Sequence, residues 1–367
     1  MAETVVPLVL LFISSLATAF VVTGIVKRTS EHIGFVDVPN ERKQHQDATP
    51  RLGGLAIIFG FGFPLLMLAA NGRGAAVIGD NLSYLLGLLA AGSLIVGLGV
   101  YDDVLGADAP KKFVVQIGAA VVLVLFGFRF DLVSIAGEVF HLGPLGIIAS
   151  ILWIVGVINA MNFIDGMDSL ATVVALTTAV AFMVIGILRD DPMSLVVMTA
   201  LAGSLAGFYP WNKPPAKIFM GDTGSMFIGL LLAAASIAQP SKSPTALLIG
   251  GPIVALALPV IDTLIVMKQR FGGTAESLPA RVSRVFSADR RHIHHILISR
   301  YGSAAKAIFW IWLVTLLFAT AAILTVAQAT KWFGYSAGGA AFFLLLILRY
   351  WRSNVGRASA RPPEAAG

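Results

Sequence analysis

The sequence predicts an all-α polytopic membrane protein of about eleven transmembrane helices. Two observations predict it. The chain of 367 residues is 57% hydrophobic and 13% charged, against about 25% charged residues in soluble proteins, so it cannot solvate a water-facing surface of this length. The apolar residues also fall in long blocks, several near the roughly 20 residues needed to cross a bilayer.

The blocks, in order, are 5–26, 52–70, 81–100, 112–127, 145–161, 170–188, 193–209, 225–239, 245–268, 304–328 and 335–350. The first contains Ala17-Thr18-Ala19, which looks like a signal-peptide cleavage site. Its start, Met1-Ala2-Glu3-Thr4, lacks a basic region, and Lys27 and Arg28 follow it, so it reads as a retained helix. The shortest blocks require tilt or extension to span. The stretch 128–144 alternates apolar and polar residues around Gly137-Glu138 and predicts a small external β-hairpin. Residues 1–352 read as one transmembrane domain with cytoplasmic catalytic loops, and 353–367 as a short disordered cytoplasmic tail. One set of loops, with the tail, holds 21 of the 26 Lys and Arg, and the other set holds 5. The positive-inside rule puts the rich side in the cytoplasm, with the N-terminus outside and the C-terminus inside.

The net charge of +6 lies between apolar blocks, where orientation signals belong. No basic stripe with interleaved aromatics remains, which excludes nucleic acid as a partner. The absence of cysteine excludes disulfides, thiolate metal sites and a cysteine nucleophile.

Five aspartates carry the functional argument. Asp102 and Asp103 close the third block, and Asp165 and Asp168 end the fifth, in Asn159-Ala-Met-Asn162-Phe-Ile-Asp165-Gly-Met-Asp168. Asp222 precedes the eighth, in Phe219-Met-Gly-Asp222-Thr-Gly-Ser225. All fall on the expected cytoplasmic side, with Lys43, His45, Lys111, Lys112 and His292-Ile-His294-His295. Singly, each has a bland explanation: adjacent aspartates at a helix end are often solvated, and Asp-Gly pairs form turns. Their gathering at one face of an acid-poor chain favours function. Oxygen ligands without thiolates suit a hard cation such as Mg²⁺, which takes one or two protein oxygens plus substrate phosphates. Residue chemistry therefore points to Mg²⁺-dependent phosphoryl transfer on a lipid or nucleotide. A cation-coupled transporter stays open at this level, although its acids belong near the bilayer midplane. A CDP-alcohol type phosphotransferase needs a different acidic motif, which is not found.

At these same residues the chain resembles the polyprenyl-phosphate N-acetylhexosamine-1-phosphate transferases of glycosyltransferase family 4. The resemblance rests on Asp37-Val-Pro-Asn-Glu-Arg-Lys43-Gln-His45, Pro50-Arg51-Leu-Gly-Gly54, Asp102-Asp103, Asn159 to Asp168, Met220-Gly-Asp-Thr-Gly-Ser225 and Asp289-Arg-Arg-His292-Ile-His294-His295. It is closest to the branch that initiates O-antigen and teichoic acid synthesis, with the phospho-MurNAc-pentapeptide transferases as cousins. Ser169 departs from it, since the family usually has glycine there. The resemblance implies transfer of N-acetylhexosamine 1-phosphate from a UDP-sugar, GlcNAc first, to polyprenyl (undecaprenyl) phosphate, with release of UMP. It implies Mg²⁺ on Asn162 and Asp222, and catalytic roles for Asp102, Asp103 and Asp165. It further implies that Lys43 and Lys112 bind phosphate, that Asp168 and Phe219 contact uracil, and that His292, His294 and His295 contact the diphosphate or sugar. A bacterial inner-membrane location follows, and a homodimer is left open. Asp262, after Pro259 inside the ninth block, is expected to bond backbone groups freed by that proline.

Overall fold

The computed structural model describes residues 2–37, 49–70, 79, 81–135, 138–237, 250–271, 292–327 and 331–350. Lys43, His45 and the tail 353–367 lie outside the described residues. The helices among the described residues are α1 (Ala2–Ile33), α2 (Gly53–Ala69), α3 (Leu82–Leu105), α4 (Ala109–Leu125), α5 (Pro144–Ile164), α6 (Leu170–Leu188) and α7 (Pro192–Asn212). They continue with α8 (Gly221–Ile237), α9 (Gly250–Ala255), α10 (Ala257–Phe271), α11 (Ile293–Tyr301), α12 (Ala304–Val326) and α13 (Lys331–Tyr350). Two short antiparallel pairs accompany them. In the first, β1 (Val36–Asp37) faces β2 (Thr49–Pro50), with Val36 opposite Pro50. In the second, β3 (Leu132–Ile135) faces β4 (Glu138–His141), with Leu132 opposite His141, inside the 128–144 stretch.

Local sequence sets many of the helix ends. Pro110, Pro144 and Pro192 sit in first turns, where proline's missing N–H costs nothing. Asp191 caps α7 by accepting from the Ser194 N–H at 2.9 Å, and Ser303 caps α12 through the Lys306 N–H at 3.4 Å.

Among the described residues, seven helices, α1, α3, α5, α6, α7, α12 and α13, are long and apolar enough to cross a membrane. This is a multi-pass membrane protein. The apolar helices α2 and α8 have 17 residues each, about 25 Å at 1.5 Å per residue, short of a roughly 30 Å hydrocarbon core. The block expected at 245–268 is broken at Leu256 into α9 and α10.

The short α8 is the centre of the molecule: nearly every residue from Thr223 to Ile237 is buried. A helix apolar on all sides is either enclosed or faces lipid; α8 is enclosed, packing against α2, α3, α5, α6, α7 and α9. Glycines set the close approaches. A side chain on Gly54 would overlap the Gly224 backbone of α8, and one on Gly99 would overlap Thr223. Without a water-driven force between helices in lipid, such close backbone contact supplies the attraction.

Candidate active site

Up-and-down connectivity brings the C-terminal ends of α3, α5 and α7 to one end of the bundle with the N-terminal ends of α4, α6 and α8. Asp102 and Asp103 lie on the last turn of α3, Lys112 on the first turn of α4, Asn162 on the last turn of α5, Asp165 just beyond it and Asp222 on the first turn of α8.

Two contacts across this end define the site. The Lys112 ammonium bridges Asp102 and Asp222, standing 2.6 Å from the Asp222 Oδ2. Asp103 is turned away from this bridge. Its Oδ1 accepts from the Asp222 N–H at 2.9 Å, and its Oδ2 accepts from the Thr223 N–H at 3.0 Å and the Thr223 hydroxyl at 2.6 Å. A carboxylate against the open N–H groups and positive end of a helix is a favourable pairing. Asp103 thus fixes the start of α8, and with it Asp222. Gly221 makes this geometry accessible: its φ is +72°, and a Cβ there would stand 2.7 Å from the Asp103 carboxylate.

The Phe219-to-Ser225 motif is also tied to the start of α2. The Phe219 N–H donates to the Pro50 carbonyl at 2.8 Å, and the Gly53 and Gly54 N–H groups donate to the Phe219 and Met220 carbonyls at 3.0 and 2.8 Å. The Pro50-to-Gly54 and Phe219-to-Ser225 motifs therefore form one unit, through contacts that need the glycines.

Asn162, beside the start of α8, donates to the Ser225 hydroxyl at 3.0 Å. Asp102 Oδ1 accepts from the Ala107 N–H at 2.6 Å, which steadies the turn between α3 and α4. Asp168 Oδ2 accepts from the Ala216 N–H at 2.9 Å and anchors the 213–220 loop that carries the half-buried Phe219. Asn212 anchors the same loop from below, accepting from the Ser169 N–H at 3.0 Å and donating to the Ile218 carbonyl at 3.1 Å. Lys111 is exposed and faces Asp108 at 3.3 Å, so Lys112 is the lysine that enters the site.

Among the described residues, Asp165 has no salt-bridge partner. Burial pushes its carboxyl well above the ordinary carboxylate range, and the charges of Asp222, Asp103 and Asp168 push the same way. His294 reaches this loop from the other side. A Cβ on Gly166 would lie 2.6 Å from its Nε2. The ring is 1% exposed, and neither nitrogen has a hydrogen-bond partner among the described residues. Burial, followed by the neighbouring His295, depresses its pKa to about 3, so the imidazole is neutral.

Asp262 departs from expectation. Instead of bonding backbone freed by Pro259, its buried carboxylate accepts from the Ile293 N–H at 3.0 Å, contacts His292 Nδ1 at 2.8 Å and pairs with Arg349 of α13. Sequence reasoning missed Asp103's cap, the Asn212 hub and this triad. The Asp262–Arg349 pair is separated by 87 residues and carries no local signal.

Residues 54–239 match the profile described as Glycosyl transferase family 4. The chain belongs to this family. Among similar members, a Bacillus subtilis (strain 168) protein named "Probable undecaprenyl-phosphate N-acetylglucosaminyl 1-phosphate transferase" is 32% identical, over 90% of this chain and 88% of its own length. A Mycobacterium tuberculosis "Decaprenyl-phosphate N-acetylglucosaminephosphotransferase" is 35% identical over 83% of this chain and 79% of its own. A Streptococcus pneumoniae "Phospho-N-acetylmuramoyl-pentapeptide-transferase" is 34% identical over 53% of this chain and 62% of its own. As a member of glycosyl transferase family 4, the chain is a membrane-embedded enzyme. The family match includes all five site aspartates and Lys112, while the histidine segment lies beyond it.

Proposed function

We propose that this glycosyl transferase moves N-acetylglucosamine 1-phosphate from UDP-GlcNAc to undecaprenyl (polyprenyl) phosphate, releasing UMP and starting a lipid-linked cell-envelope glycan. The Lys112 ammonium held between Asp102 and Asp222 carries the reading. It sets a cation and an array of carboxylates at one end of an apolar bundle, where a lipid phosphate and a water-soluble nucleotide can meet.

The donor set suits Mg²⁺. Among the described residues no three His, Cys, Asp or Glu side chains converge into a protein-only cage, and Mg²⁺ prefers few protein oxygens with substrate phosphates completing its shell. Asp222 and Asn162 would hold it, and it would neutralise charge on the diphosphate. Lys112 offers its ammonium to phosphate oxygens. Asp102, beside it, orients the attacking lipid phosphate. That phosphate loses its second proton near pH 6, so it needs no strong base. An oxygen of the lipid phosphate attacks the β-phosphorus, the bond to the bridging oxygen breaks, and UMP leaves with that oxygen. Asp103 acts through α8, as a positioning residue for Asp222. Asp165 orders the polar groups around the metal ligands. Asp168 holds the loop carrying Phe219, whose ring stacks on uracil, and Lys43 adds phosphate contacts. His294, neutral and without a hydrogen-bond partner among the described residues, accepts or donates a hydrogen bond to the sugar or diphosphate, beside His292 and His295.

The site end faces the cytoplasm of a bacterial inner membrane, with the β3–β4 pair outside; the charge distribution supports this orientation. A cation-coupled transporter finds no support in the family match. The deciding experiment is UMP release from UDP-GlcNAc by purified protein with undecaprenyl phosphate and Mg²⁺. Wild type should release UMP. Folded Asp222→Asn should lose turnover by roughly a hundredfold or more, since a charged oxygen donor is removed. Wild-type rates in that variant would remove Asp222 from the mechanism, and a donor panel would fix the sugar.

A further inference from the structure

Asp262, His292 and Arg349 form a buried polar triad away from the carboxylates described above. The Asp262 and Arg349 side chains are 3% and 2% exposed and His292 is 6% exposed. Three ionisable groups enclosed in an apolar bundle are costly unless mutually satisfied. Here Asp262 Oδ2 lies 2.8 Å from His292 Nδ1, and its Oδ1 takes both the Ile293 N–H and the Arg349 guanidinium.

The His292 ring links the Asp262–Arg349 pair to the site. One neighbour is Phe163, at 5.5 Å between centroids and one residue from Asn162. The other is His294, stacked at 6.0 Å with the planes 8° apart. His294 rests on Gly166 of the Asp165–Asp168 loop. A carboxylate at Nδ1 makes that nitrogen the donor and fixes the ring's orientation. Asp262 also holds the first N–H of α11, so ring and helix start are set together.

We propose that Asp262 and Arg349 are positioning residues for the histidine segment. Asp262 orients His292 and the start of α11, and Arg349, from the last helix, holds Asp262 in place. His292 then buttresses His294 against the Asp165–Asp168 loop. The inference rests on the reading of this segment as part of the transferase site. It makes α13 a working part of that site, although that helix lies well beyond the end of the family match at residue 239.

The test is a mutant cycle on purified protein. Asp262→Asn with Arg349→Gln removes both charges together, so neither is left buried and unpaired. This double variant should fold, by thermal unfolding, and lose kcat for UMP release by roughly tenfold to a hundredfold, the range for lost orienting partners. KM for UDP-GlcNAc should change little. His292→Gln should lose a similar amount, and the triple variant should be no slower than His292→Gln alone, because the pair acts through that ring. Multiplying losses, or wild-type kcat in the folded double variant, would overturn the proposal. If the double variant does not fold, Arg349→Lys, which keeps charge but loses the planar fork, goes through the same cycle with the same two outcomes. Absence of UMP release from wild type would overturn the transferase reading and this inference with it. Wild-type release with multiplying losses overturns this inference alone.

Discussion

Ser169 adopts φ +60°, in the left-handed region, at the residue that joins the Asp165–Asp168 loop to α6. A side chain there costs about 1 kcal/mol or more relative to glycine. This is why glycine is the residue expected here, and serine is accommodated because its N–H is held by Asn212. Ser169→Gly should therefore be at least as stable as wild type, and Ser169→Val should lose roughly 2 kcal/mol, read by thermal unfolding in detergent. Asp165 carries a different strain. Its folded pKa is raised, so the folded chain keeps this proton to higher pH than the unfolded chain does. Stability from this group is present below the unfolded value of about 3.9 and is lost as pH rises through the folded value. Asp165→Asn should then melt higher than wild type at about pH 8, the gap closing in acid, while its UMP release falls. Equal melting curves at both pH values would refute the burial of that charge. The five aspartates and Lys112 were legible as residue types at one membrane face. The division of labour between Asp102 and Asp103 was not, because neighbouring residues on a helix point in different directions, and only the fold says which meets α8.

At the scale of elements, the site depends on where α8 begins. Asp103 takes two backbone N–H groups and the Thr223 hydroxyl at that point, while Asp102 contacts Lys112 and the Ala107 N–H. Asp103→Ala should lower stability by about 0.5–2 kcal/mol, the usual worth of an N-cap, and should also cost turnover through a misplaced Asp222. Asp102→Ala leaves Lys112 paired with Asp222, so it should cost less stability and at least as much turnover. Thermal unfolding and UMP release on both variants check this, and the reverse order in stability would refute the capping role. The described parts of the apolar blocks are helical, and seven of those helices are long and apolar enough to cross a membrane. The break at Leu256 and the separate helix α11 were not read, because hydropathy marks what lipid tolerates and is silent on where backbone hydrogen bonding is interrupted. Nor does hydropathy separate the lipid-crossing α3 from the enclosed, shorter α8, since both are apolar all round.

For the whole molecule, charge bias alone supports the orientation, and the absence of cysteine allows a clean test. Asp108 and Asp131 are both exposed, on opposite expected sides. Asp131→Cys should react with a membrane-impermeant maleimide in intact cells, and Asp108→Cys only after permeabilisation. The opposite pattern would invert the protein and remove the cytoplasmic site. The same interior of touching main chains has a bearing on how the sequence can drift. Gly54, Gly99, Gly207 and Gly229 each press against the backbone of another helix. Leu66, Leu125, Leu152 and Phe343, by contrast, are exposed on apolar helices. In a library carrying every substitution, the exposed four should accept almost any apolar residue, and the four glycines almost nothing, alanine included. The positions that tolerate least would then be those with no side chain at all: a hereditary skeleton made of hydrogen atoms, along which new variants of this transferase must be threaded.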